Sequence, residues 1–89
     1  MLNKNNLINC FKAAKEENAN FVGVLVQVEG NPLPELIINP SENFDSKLDY
    51  YKEVYNDNLE HKFADKNIKI TGFTQADIFE EIRKMVLTK

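Results

Sequence analysis

The eight residues Phe21-Val22-Gly23-Val24-Leu25-Val26-Gln27-Val28 constrain this chain more than any other stretch. They are short, rich in β-branched side chains and apolar at both odd and even positions, the composition of a strand rather than a helix. Successive strand residues point to opposite faces, so a run apolar at both parities needs cover on both sides. The expectation is a central strand. Gly30-Asn31-Pro32-Leu33-Pro34 then reads as a turn, and Glu35-Leu36-Ile37-Ile38-Asn39 as a second strand returning beside the first.

Helical periodicity surrounds this hairpin. Over residues 4–18, Leu7, Ile8, Phe11 and Ala14 share one face of a 3.6-residue repeat, with Asn3 or Asn5 as the cap. Pro40-Ser41-Glu42-Asn43 stops the second strand and opens another helix, capped by Ser41 or Asn43. Phe44, Leu48, Tyr51 and Tyr55 form its buried stripe, and it is expected to end near Asn56-Asp57-Asn58. Leu59, His61 and Phe63 alternate with Glu60 and Lys62, the pattern of a half-buried strand. Ile68 and Ile70 alternate with Lys69 and Thr71 in another strand that closes at Gly72. Thr74-Gln75-Ala76-Asp77 resembles a capping box, and residues 75–87 are expected to form a last helix with Ile78, Phe79, Ile82 and Met85 or Val86 inward. The predicted fold is α+β: an antiparallel sheet of about four strands packed by three helices, in the order α-β-β-α-β-β-α.

A chain of 89 residues makes one domain, with residues 1–89 around one core. Its one cysteine, Cys10, cannot form an internal disulfide, and the start Met1-Leu2-Asn3-Lys4-Asn5-Asn6 lacks the apolar core of a signal peptide. No apolar stretch approaches the length of a membrane span. The expected location is the cytoplasm. A net charge of −3 and a pI near 5.1 argue against direct nucleic-acid binding, which needs clustered Lys and Arg.

Motifs for chemistry are missing from the sequence. His61 is the sole histidine, and no local Ser-His-Asp or Cys-His arrangement surrounds it. Cys10 lies near the apolar side of the first helix, where a free thiol behaves as a small hydrophobe. One His and one Cys do not make the usual zinc sets, and Asp57, Glu60 and Asp65 lack EF-hand spacing. Gly23, Gly30 and Gly72 are scattered rather than grouped in a phosphate loop. Glu80-Glu81 reads as a solvated helix face rather than a glycosidase pair. The expectation is a non-enzymatic protein with no cofactor and no metal.

Charge is uneven along the chain. Residues 41–60 hold six carboxylates against Lys47 and Lys52, and within them Asp45, Asp49, Glu53 and Asp57 recur every fourth residue. On a helix such a row runs along one side and repeats about every 6 Å at 1.5 Å rise per residue. That repeat is close to the phosphate spacing of a nucleic-acid strand. The row can therefore occupy a groove lined with Lys and Arg, with Tyr50 beside it as an aromatic anchor. Its plainer reading is a solvated helix face.

The stretch from Val22-Gly23-Val24 through Glu35-Leu36-Ile37-Ile38-Asn39-Pro40, with Glu42-Asn43-Phe44-Asp45, Tyr50-Tyr51 and Tyr55-Asn56-Asp57, resembles small phage and prophage proteins of low-GC Gram-positive bacteria. In size, acidity and single-domain build the chain is also similar to anti-CRISPR inhibitors of host defence. The resemblance implies an inhibitory protein that binds a host protein, such as a nucleic-acid-binding defence effector. Asp45, Asp49, Glu53, Asp57 and Tyr50 are then the expected partner-binding residues. Two other readings remain at this point. One is a small oligomeric accessory protein, a homodimer through a sheet edge or the last helix. The other is a small-ligand binder with polar groups near Asn39, Tyr51 and His61.

Overall fold

The computed structural model describes residues 2–77. Its elements in chain order are α1 (Lys4–Glu16), β1 (Phe21–Val28), β2 (Glu35–Pro40), a single 3-10 turn (Ser41–Asn43), α2 (Phe44–Val54) and β3 (Ile68–Ala76). The three strands form one antiparallel sheet in the order β2-β1-β3, so the apolar run is the central strand. Every residue from Val22 to Val26 is buried, whichever face it points to. The expected cover on both faces is met along these five residues.

α1 begins with a reciprocal cap. The Asn3 side-chain oxygen accepts the Asn6 N–H at 2.9 Å, and the Asn6 oxygen accepts the Asn3 N–H at 3.0 Å. It ends where Asn18 takes a left-handed φ of 56° and the Ala19 N–H closes onto the Ala14 carbonyl at 2.9 Å. α1 lies across β1 and β3, and α2 runs beside α1 and over β2. Leu7, Phe11 and Ala14 from α1 meet Val22, Val24 and Val26 from β1 and Phe44, Leu48 and Tyr51 from α2 in one core. The Phe11 ring stands edge-on to Phe44 with centroids 5.6 Å apart, and is tilted against Tyr51 at 5.9 Å. Each fully buried large side chain contributes about 1.5–3 kcal/mol.

β3 is longer than its sequence suggests. It runs on past Gly72 to Ala76, pairing Phe21↔Ala76, Gly23↔Thr74 and Leu25↔Gly72. The Thr74–Asp77 capping box is therefore not used as one, because β1 needs ladder partners on both of its edges. The register shifts between Leu25 and Val26, leaving Thr71 as the extra residue of a bulge. That insertion sets Ile70 opposite Val26 and Ile68 opposite Val28, so the apolar side chains of both strands share the helix-covered face.

The expected fourth strand at Leu59–Phe63 is not one. Only isolated bridges occur there, Tyr55↔His61 and Glu60↔Lys69. Leu59 has a left-handed φ of 65°, which an extended strand does not tolerate. Farther on, the Phe63 and Ala64 N–H groups turn back to donate to His61 Nδ1, each at 3.0 Å. The count is therefore three strands and two α-helices among the described residues, not four and three. Of the expected last helix, Gln75 and Ala76 belong to β3, and residues 78–87 lie outside the described residues.

α2 also differs at both ends. Neither Ser41 nor Asn43 caps it with a side chain. It stops at Val54, before Asn56-Asp57-Asn58, with Tyr55 extended. A tight turn built by Asn56 replaces its last residues. The Asn56 side-chain oxygen accepts the N–H of Asn58 at 2.9 Å and of Glu60 at 3.0 Å. This arrangement competes directly with helical hydrogen bonding. It also lets Leu59 drop into the core at 0% exposure.

Candidate acidic interface on the second helix

α2 turns Phe44, Leu48 and Tyr51 inward, which fixes where its other residues face. At about 100° per residue, Asp45, Asp49 and Glu53 start on the flank beside α1 and drift by about 40° at each step toward the outermost line of the helix. All three are exposed. Asp57 is exposed as well but lies beyond the helix end, in the Asn56 turn, where its backbone carbonyl accepts the Lys4 N–H at 3.1 Å. The row is therefore three carboxylates long on the helix, not four.

Its first member is neutralised. Lys15 of α1 donates to Asp45 Oδ1 at 2.6 Å, the one salt bridge among the described residues. Asp49 and Glu53 have no ion pair or hydrogen-bond partner among the described residues. They are one helical turn apart, and their charge faces solvent. Sequence reasoning missed Lys15 because it lies thirty residues before Asp45, and only the packing of α1 against α2 brings the two together.

Tyr50 is 44% exposed and sits past Glu53 around the helix. Its ring packs edge-on to the buried Tyr51 at 5.3 Å, and Lys47 Nζ lies 5.6 Å from its centroid. The ring is thus held from two sides and stays partly exposed. Ring contacts continue from Tyr51 to Tyr55, tilted at 5.9 Å, and then edge-on to His61 at 5.2 Å and Phe63 at 6.3 Å. Phe63, at 69% exposure, is a surface aromatic that the strand reading had turned inward.

The residues named for a ligand pocket are engaged in other contacts. Asn39 is fully buried and donates from Nδ2 to the Val22 carbonyl at 3.1 Å. Tyr51 is buried in the core; desolvation pushes its hydroxyl pKa up, and the Asn39 side chain beside it pulls the other way. His61 uses Nδ1 to hold two backbone amides. A groove of about 400 Å³ lies elsewhere, lined by Ala14, Lys15, Asn18, Ala19, Asn20, Ser41 and Phe44.

Burial pushes the Cys10 thiol up to about 11, away from the thiolate form that nucleophilic chemistry needs. Among the described residues, no three His, Cys, Asp or Glu side chains converge as a metal set, and no helix is long and apolar enough to cross a membrane. Comparison with known proteins finds no matching family model, no matching curated protein and no matching solved structure.

Proposed function

We propose that this chain is a non-enzymatic inhibitor of phage origin that blocks a basic, nucleic-acid-binding surface of a host protein. A defence effector of the kind that anti-CRISPR proteins disable is the expected target. The contact is the outer side of α2. The observation that supports it is the pair Asp49 and Glu53, exposed, one turn apart and unneutralised, beside the half-open ring of Tyr50. Two such carboxylates match adjacent phosphates in a groove built for a polyanion. A tyrosine held by its neighbours adds contact area with little ordering cost.

The reading is tested with a tagged copy expressed in a Gram-positive host and recovered at low and at high salt. A nucleic-acid-binding partner captured at low salt and released at high salt supports it. The same partner retained by Asp49→Lys with Glu53→Lys rules out α2 as the contact.

A further inference from the structure

The outer edge of β2 is the second surface with a specific shape. Its register to β1 is regular over all six residues, Glu35↔Val26 through Pro40↔Phe21. The same register continues one step further, where the Ser41 N–H donates to the Asn20 carbonyl at 2.9 Å. In an antiparallel ladder the bonded positions alternate. Residues 35, 37 and 39 therefore turn their backbone groups to β1, and Leu36 and Ile38 turn theirs away. Those outward N–H and C=O groups have no partner among the described residues.

Open edges are usually blunted by a bulge, a lysine or a proline. The bulge of this sheet lies between β1 and β3, and β2 carries no Lys or Arg. Its prolines are Pro40 at the last position and Pro34 just before the first. Their placement decides which partner fits. In a two-fold antiparallel pairing of two β2 strands centred on Ile37, Leu36 of one copy faces Ile38 of the other. Every outward N–H and C=O of Leu36 and Ile38 is then used, in four hydrogen bonds. The next bonding positions would set Pro34 against Pro40 at both ends, where neither residue has a donor to lose. Shifting this two-fold pairing by one bonding step leaves some of these carbonyls unpaired.

The side chains agree with that register. Ile37 meets its own symmetry mate in a pair without backbone bonds, the closer kind of cross-strand contact. Leu36 and Ile38, both half-buried in the single chain, meet on the other face. Leu33, two residues before the strand, is 75% exposed. Glu35 is the only charge on β2 and sits at its end, away from the two-fold axis.

We infer that β2 is a self-association edge, and that the partner it fits is a second copy of this chain, joined through Leu36 and Ile38 into a six-stranded antiparallel sheet. The pairing is independent of the acidic side of α2. Asp49→Lys with Glu53→Lys leaves the dimer intact, so failure of either reading is seen separately.

Sedimentation of the protein from about 1 µM to 1 mM tests it. The expected result is a concentration-dependent shift from 10.3 kDa to twice that mass. Ile38→Pro removes one outward donor per copy and two of the four bonds, and is expected to weaken association by about tenfold or more. Ile38→Val keeps the N–H and is expected to associate nearly as the parent does. A single 10.3 kDa species across the range, or an Ile38→Pro dimer as tight as the parent, overturns the inference. Amide exchange on the unmodified chain gives a second reading that needs no variant. The Leu36 and Ile38 amides are expected to exchange fast at low concentration and slowly at high concentration, and fast exchange at both overturns the inference.

Discussion

Lys15 Nζ lies 2.6 Å from Asp45 Oδ1, so α1 neutralises the acidic row at the first turn of α2 and leaves Asp49 and Glu53 as its free charges. Variants on the two sides of this pair are expected to act oppositely on binding. Lys15→Ala frees a third carboxylate and tightens capture of a basic partner. Asp49→Lys with Glu53→Lys weakens it by about tenfold or more at low salt. Because the Lys15–Asp45 pair is exposed, Lys15→Ala changes stability by no more than about 1 kcal/mol. Binding titrations at two salt concentrations, with a urea melt of each variant, check all three outcomes.

Leu59 is fully buried in a left-handed conformation, a combination that reverses an ordinary ranking of substitutions. Leu59→Ala loses a core side chain and keeps the strain, at an expected cost of about 2–5 kcal/mol. Leu59→Gly loses the same packing but relaxes the left-handed backbone, which favours glycine by about 1–2 kcal/mol. The glycine variant is therefore expected to be at least as stable as the alanine variant. Urea midpoints decide it, and a clearly less stable glycine variant contradicts the role given to the strain.

Asn56 holds the turn that ends α2 through one side-chain oxygen accepting two amides. Asn56→Ala removes both bonds and is expected to cost about 1–3 kcal/mol. Amide exchange is the sharper measurement. Asn58 and Glu60 are expected to lose protection, while Val22 to Val26 in the central strand keep theirs.

Alkaline conditions are expected to destabilise the fold. Burial pushes the Cys10 thiol from its ordinary 9.0 to about 11. Burial, then the neighbouring Tyr50 and Tyr51, push Tyr55 from 10.0 to about 12. Both groups hold their proton longer in the folded chain than in the unfolded one. Their contribution is complete below about pH 9, and it is lost as pH rises through 11 for Cys10 and 12 for Tyr55. The urea midpoint is therefore expected to fall from pH 9 upward. Cys10→Ser is expected to flatten the first part of that fall and leave the tyrosine part in place.

Much of the fold was legible because it follows from local periodicity. The Phe21–Val28 run required a central strand, and Asn3 and the Leu7, Phe11, Ala14 face specified the first helix. Phe44, Leu48 and Tyr51 likewise specified the buried side of the second helix, and with it the exposure of Asp45, Asp49 and Glu53. Each of these depends on the spacing of residues within one element.

What the sequence did not hold was decided by contacts between distant residues. β3 extends to Ala76 because the outward groups of Phe21, Gly23 and Leu25 need a partner strand, and no local pattern in Thr74–Asp77 records that need. Leu59–Phe63 alternates like a strand, yet the Asn56 side chain takes the Glu60 amide and the His61 ring takes the Phe63 amide. Asp45, Asp49 and Glu53 kept their position on the helix, but the effective charge of the row was set by Lys15 on a different element. Periodicity fixes which face of an element is apolar; which polar groups remain free is settled only when the elements pack and compete for the same hydrogen bonds and charges.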